Sequence, residues 1–557
     1  MPDNDRIILD TVLDQTKAER VPESSDSDYF LIFAAEQITK DLDLSFDELE
    51  TGFVEGGGDG GIDAMYVLVN NVLLQEDTEL WEIKGDVIID VILLQCSSSD
   101  GFKLASVQKL TSASRDLLDL STKLLDFTET YNSQIRTISE QFRTAIRRYA
   151  SKFPDLRVHY YYATKGSTSE IHGSVTEESE KLKCAVSSLH SAAAVGFEFL
   201  GARELITLAR QVPPESMTIQ IVGTPITTDD SSYICLVTLR DYYKFITQQA
   251  SGRLRRHMFE SNVRDYQGDV RVNRAIRDSL SCSSGVDFWW LNNGVTILTE
   301  RIVGSGRSLT LANPLVVNGL QTSFEVYSYF ASGSSDEERM LLVRIIQTDD
   351  DKVRDNIIEA TNTQTPIPAA WLKSTGELHR DIEDFLKQHG LYYDRRKNYH
   401  KNLGRPRKSI ISIPHLAQAV MAIALREPDN ARGRPSTLLK RESDYSRVFS
   451  PSYSFPLYLF CILLIRKVEE GLRNLELGLV ARDINNLKFH VALLVANRMT
   501  GKRNPSTEEL SSLANRQFDD TLIAECARHV LEVFRVLGGT DQVAKGPEFA
   551  RRIKKLD

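Results

Sequence analysis

Apolar positions along this chain recur at spacings that switch between two and three-to-four, which predicts strands alternating with helices. Residues 1–24 form a short helical leader built on Ile7, Ile8, Leu9, Val12 and Leu13 and end in an acidic, Ser-rich link. An apolar helix follows over 29–40, capped by Ser27 or Asp28. Ser45, with Glu48 three residues on, predicts a capping box at the start of a second short helix. Residues 62–69 and 71–75 read as a hairpin across Asn70-Asn71, a pair that tolerates left-handed backbone. The near-continuous Val/Ile/Leu run over 86–95 predicts a strand covered on both faces. Residues 108–149 carry Ile135, Ile138, Phe142 and Ile146 at helical spacing. Strands at 157–163 and 195–200, with helices at 177–190 and 203–211, complete one α/β domain over 25–212. Pro213-Pro214 closes it.

Beyond that boundary the pattern predicts strands at 217–222, 233–239 and 340–347 and helices at 352–361 and 369–389. From 410 onward it is mainly helical, closing with 519–537 and a Gly538-Gly539 stop. The division expected is a mixed α/β region over 215–450 and a helical part over 451–557.

Composition changes little in this picture. A chain of 557 residues, 41% hydrophobic and 26% charged, is of ordinary globular make-up and long enough for three or four domains of roughly 150 residues. Its six cysteines are scattered, with no CxxC pair and no zinc-ligand spacing, which argues against a disulfide framework and fits a reducing cytoplasm. No basic-then-apolar leader opens the sequence, and the longest apolar run, 455–465, is too short to span a bilayer, so no membrane is expected as a partner. A formal charge of −10 gives no global attraction to nucleic acid, so any such binding must be local.

The candidate chemistry lies near the first hairpin. Five glycines and two acids over 55–61 lead into Asp63, which stands where the loop becomes a strand; Gln95 stands where the next long strand ends. A carboxylate and an amide oxygen meeting at one sheet rim suit a hard divalent cation. The glycines permit close approach of an ion or phosphate. Read plainly they are a surface loop, and no Gly-Lys-Ser/Thr follows to make a P-loop. Glu36 lies on the apolar helix and points either to solvent or into a site. A second candidate is the run 394–408, where Arg395, Arg396, Lys397, Lys401, Arg405, Arg407 and Lys408 face a single acid, with Tyr392, Tyr393 and Tyr399 interleaved. Cations among aromatics suit phosphate neutralisation and base stacking; a solvated basic loop is the alternative.

Three polar blocks carry a resemblance: 262–266 with Asn262, Arg264 and Asp265; 288–294 with Asn292, Asn293 and Gly294; and 313–323 with Asn318, Gly319, Gln321 and Thr322. In order and spacing they resemble the AIPR (abortive infection phage resistance) family, which implies a bacterial anti-phage role without naming a reaction. Read by themselves, the clustered amides suit a nucleotide's edges or simply cap their own tight turns. The segment 28–110 is similar to the restriction-endonuclease-like PD-(D/E)XK class. That resemblance implies an N-terminal nuclease-like α/β domain, with Glu36, Asp63 and Gln95 as catalytic residues. Asp63, Gln95, the Cys96 carbonyl and Asp59 would hold the metal, Mg2+ or Mn2+. The pattern asks for Lys two positions after Gln95, where this chain has Ser97; Lys103 from the following helix is the expected replacement. The implied function is a metal-dependent endonuclease acting on DNA ahead of RNA, with a phage-derived trigger and homodimerisation as further expectations. The alternative is a catalytically weak or inactive nuclease fold serving as a sensor or adaptor.

Overall fold

The computed structural model describes residues 4–556 except 23, 43, 55, 84–86, 211–215, 228–231, 249–251, 253, 260–270, 282–285, 334–337, 363–376, 396–397, 403 and 476. The Pro213-Pro214 boundary, Asn262, Arg264, Asp265, Arg396 and Lys397 lie outside the described residues.

The first helices are α1 (Asn4–Arg20), α2 (Asp26–Ile38) and α3 (Phe46–Thr51). Ser25, rather than Ser27 or Asp28, caps α2, its hydroxyl accepting from the Asp28 amide at 3.1 Å. Both halves of the Ser45/Glu48 capping box form on α3. Strands β1 (Ala64–Val69) and β2 (Val72–Leu73) make the expected hairpin, with Asn70 and Asn71 both left-handed at φ 45° and 69°. Next come β3 (Ile88–Ser97), α4 (Leu104–Leu118) and α5 (Ser133–Tyr149). The helical pattern over 108–149 is thus two helices. Asn132 starts the second by accepting from the amides of Gln134 and Ile135. β4 (Asp155–Thr164), α6 (Gly173–Leu189), β5 (Ala194–Leu200) and α7 (Ala202–Arg210) finish the domain.

Its five strands order as β2-β1-β3-β4-β5. β1 runs antiparallel to β2 and β3, while β3, β4 and β5 are mutually parallel. Odd positions of β1 and β3 (Met65, Val67, Ile89, Val91, Leu93) pack with α4, α5 and α6; even positions (Ala64, Tyr66, Ile92, Leu94) pack with α1, α2 and α7. Burial on both faces is why β1 and β3 read as continuous apolar runs rather than alternating ones. Leu9, Leu13 and Val21 of the leader contribute to the second face.

The central region holds a three-stranded antiparallel sheet and a five-stranded sheet in which one pair is parallel. Their shared core runs from Met217 to Ile345. A single helical core then extends from Ile382 to Ile553, around the long helices Phe455–Asn474, Ala481–Thr500 and Asp520–Val536. It crosses residue 450, where the sequence pattern suggested a division, because Leu416, Val420 and Tyr445 pack into the same interior as Leu459 and Val495.

The loop after β2 helps fasten the N-terminal domain to the helical part. Asp77, in the loop after β2, accepts from the amide and hydroxyl of both Ser436 and Thr437 at 2.7–2.9 Å. Glu76 beside it accepts from Arg432 and Lys545. Asp77→Ala removes one acceptor from four donors, with an expected cost of about 2 kcal/mol. Limited proteolysis should then cut the loop around 74–83 faster than in the parent; equal rates would show the fastening to be slack.

Candidate functional site

Asp63 is placed by the sheet itself. Its amide donates to the Leu94 carbonyl at 2.8 Å, extending the β1–β3 ladder by one residue. Strand alternation puts its side chain, like Gln95, on the face of α4 and α5. There they meet. Gln95 Nε2 donates to Asp63 Oδ2 at 2.9 Å and to the Cys96 carbonyl at 2.9 Å, and the Cys96 amide donates to Asp63 Oδ2 at 2.6 Å.

Burial pushes the Asp63 carboxyl up to about 6; the negative charge of Asp59 adds to the effect and the Cys96 amide opposes it. A carboxyl so placed is short of positive charge. The donor set fits a hard cation: turning the Gln95 amide over would set its oxygen beside Asp63 Oδ2 and the Cys96 carbonyl, three oxygens facing one point. Asp59 stands by, one of its oxygens taken by the Gly61 amide at 2.6 Å. Among the described residues no group of three or more His, Cys, Asp or Glu could hold a metal. Any cation here would therefore depend on the amide, the carbonyl and water.

The glycine loop is docked rather than free. Gly58, Gly60 and Gly61 are left-handed at φ 76°, 68° and 78°. A methyl at Gly60 would meet Ala113 Cβ at 2.7 Å and the Tyr131 ring at 2.9 Å. The Gly58 carbonyl accepts from the Asn132 amide at 2.8 Å. Only glycine lets this loop lie against α4 and the start of α5.

The other expected members sit apart from the pair. Glu36 is only 8% exposed, within the core on the other sheet face, where Arg20 Nη1 donates to its Oε2 at 3.1 Å. It faces neither solvent nor, through any contact among the described residues, Asp63. Lys103 precedes α4; its amide donates to the Tyr162 hydroxyl at 3.1 Å and its side chain is exposed. The Ser97 hydroxyl is bonded to that of Ser99 at 2.7 Å. Lys109, which sequence reasoning passed over, lies on α4 directly beneath the loop. Its signal was the spacing of Ser106, Lys109 and Ala113 on one helix face.

The basic run 394–408 is largely occupied inside the protein. Arg395 Nε donates to Glu383 at 3.0 Å with a 5% exposed side chain. Lys401 donates to the Leu44 carbonyl and lies 4.9 Å from the Phe46 ring centre; Arg407 pairs with Glu50 and also covers Phe46. Arg405 stacks on Tyr392 at 4.8 Å, while Lys408 is exposed. Nearby, a cavity of about 530 Å3 separates the sheet from the helical part. It does not reach Asp63 or Gln95; of the carboxyls lining it, burial pushes Asp394 up to about 7, while Lys488 and Arg473 hold Glu469, against burial, down to about 2.

The two polar blocks that lie among the described residues, 288–294 and 313–323, serve packing. Asn292 accepts from the Gly294 amide at 2.8 Å and donates to Thr322 at 3.1 Å. Asn318 donates to the Thr361 carbonyl at 2.6 Å, and Gln321 accepts from Asn273 at 2.7 Å. Gly294 (φ 79°) and Gly319 (φ 91°) are forced by close approach, to the Leu342 carbonyl and to Val295. Asn293 is exposed.

The fold described is mixed α/β with a helical C-terminal part, in which an acid and an amide share a sheet rim. Residues 259–532 match the model of the family described as AIPR protein. No curated protein and no solved structure matches the chain. Among the described residues no helix is long and apolar enough to cross a membrane.

Proposed function

We propose that this is an anti-phage defence protein of the abortive-infection kind, whose N-terminal domain hydrolyses nucleic-acid phosphodiesters, DNA ahead of RNA, with Mg2+ or Mn2+. The AIPR match supports the defence role. The observation that carries the hydrolytic reading is that Gln95 Nε2 donates to both Asp63 Oδ2 and the Cys96 carbonyl at 2.9 Å, while the Cys96 amide donates to the same Asp63 oxygen at 2.6 Å. The sheet around them, an antiparallel pair joined to a parallel one at β3, accords with the PD-(D/E)XK arrangement that the sequence suggested.

In this reading Asp63, the Gln95 oxygen and the Cys96 carbonyl would hold the cation, with Asp59 as a further acid nearby. A cation so held polarises a phosphoryl oxygen and acidifies water. The protein's own part is to fix the carboxylate by the Cys96 amide, to keep the amide within reach and to leave the glycine loop low enough for a backbone phosphate to approach. Incubation of supercoiled plasmid with the purified protein and Mg2+ or Mn2+ tests this. Cleavage is expected in the parent and a loss of 100-fold or more, on the order seen for single electrostatic groups, in Asp63→Ala. Equal cleavage in both would remove the reading.

Ser97 favours a second reading, a nuclease-like domain that binds without cutting, because a serine bonded to Ser99 cannot lend positive charge. Phage protection that survives Asp63→Ala would select it.

A further inference from the structure

We propose that Lys109 supplies the positive charge at the Asp63–Gln95 rim that Ser97 does not. This rests on the hydrolytic reading above. A methyl group added at Gly61 would lie 3.1 Å from Lys109 Cβ and 3.2 Å from Gln95 Oε1, so the lysine stem and the amide border the same small volume. The distance left is well within the span of a lysine side chain, whose ammonium is carried on a flexible four-carbon stem.

The placement follows from α4. Ser106, Lys109 and Ala113 fall on one helix face at three- and four-residue intervals. The Ser106 carbonyl lies 3.7 Å from the Gly61 methyl position and Ala113 Cβ lies 2.7 Å from that of Gly60. One position further along the same stripe, Asp116 accepts from the Tyr131 hydroxyl at 2.6 Å, and the Tyr131 ring closes over Gly60. Leu110 and Val107 point into the core and hold the helix in this rotation. The glycine loop therefore rests on the stripe that carries Lys109, and any larger residue at 61 would wedge the lysine from the amide.

The Lys109 side chain is exposed, and among the described residues its ammonium has no hydrogen-bonding or ionic partner. A solvated helix-surface lysine has the same exposure. What separates the two is that Lys109 leaves the helix next to the amide, whereas the Lys103 amide is tied to Tyr162 and, among the described residues, no contact joins its side chain to the pair.

In the reaction, water oxygen bonds to phosphorus as the bond from phosphorus to the leaving sugar oxygen breaks. One water proton passes to solvent and the leaving oxygen takes one up. Lys109 remains an ammonium throughout, donating to a non-bridging phosphoryl oxygen whose charge grows in the transition state.

The test compares Lys109→Met, Lys109→Arg and Lys103→Met with the parent and Asp63→Ala, reading plasmid cleavage with Mn2+ and, separately, Mn2+ binding by calorimetry. Lys109→Met should cleave roughly 100-fold more slowly while binding Mn2+ as the parent does. Lys109→Arg should recover most of the rate, and Lys103→Met should match the parent. Parent-like cleavage by Lys109→Met, with Asp63→Ala inactive, overturns this proposal and leaves the hydrolytic reading standing. No cleavage by the parent, or equal cleavage by Asp63→Ala, removes both. Loss of Mn2+ binding in Lys109→Met would make the residue a structural support and also overturn the proposal.

Discussion

Asp63→Asn should make the cation-free protein more stable at neutral pH while abolishing its response to Mg2+ or Mn2+. Burial, helped by Asp59, raises this carboxyl from 3.8 to about 6. In the unfolded chain the group ionises near 3.8, so below that pH it is protonated in both states and costs nothing. As pH rises toward 6 the unfolded state loses its proton first, and stability falls until both states are ionised. Above about 6 the loss is complete, about 2 kcal/mol once partial exposure is allowed for. An asparagine oxygen can accept from the Cys96 amide and from Gln95 as the carboxylate does, and it carries no charge to desolvate. Thermal melts of parent and variant should coincide near pH 4 and separate by pH 7.5, with the variant higher. Added Mn2+ should raise the parent's transition at pH 7.5, less so at pH 5.5 where the proton competes, and leave the variant's unchanged. Coincident melts at pH 7.5 would mean that Asp63 is better solvated than its surroundings imply.

The parts of this arrangement legible in the sequence were those fixed by nearby residues. Asn70-Asn71 announced its hairpin, the run over 86–95 announced a strand buried on both faces, and the positions of Asp63 and Gln95 at strand ends followed from those two elements. The rest depends on what packs against what. Periodicity shows that α4 has an apolar face; it does not show that a loop fifty residues earlier lies over the adjoining stripe, and so Lys109 was passed over. Glu36 could not be assigned without knowing that Arg20, on a separate helix, would turn toward it. The basic run read as a surface for phosphates in part because the partners of Lys401 and Arg407, namely Leu44, Phe46 and Glu50, are more than 350 positions away in the chain. The break between α4 and α5 was hidden for a related reason: the carbonyls that end α4 are satisfied by a residue of the next helix.

That residue is Arg143, and Arg143→Leu is expected to be the most destabilising single change in the N-terminal domain. The side chain is 1% exposed, and the charges of Glu140 and Asp119 only partly offset its burial. Nε donates to the Leu117 carbonyl at 3.1 Å, Nη1 to the Thr122 carbonyl at 2.6 Å, and Nη2 to the Asp116 carbonyl and the Thr122 hydroxyl at 2.8 and 2.9 Å. The last carbonyls of a helix have no partner within it and carry the negative end of its dipole, so a cation there is doubly favourable. Burial lowers the Arg143 pKa, yet a guanidinium keeps its proton at physiological pH. Leucine fills much of the space but leaves the carbonyls of Asp116 and Thr122 without this donor, and that of Leu117 with only the Ser139 hydroxyl at 2.6 Å. The expected cost is roughly 3–5 kcal/mol. Lysine restores the charge but not the planar fork and should recover less than half. Because the lesion is local, hydrogen exchange is the sharper measurement: amides in the last turns of α4 should lose protection by about a hundredfold or more, while those of the helix Phe455–Asn474 keep theirs. If α4 stays protected in Arg143→Leu, water has taken over the carbonyls, and the guanidinium is not what ends the helix where it ends.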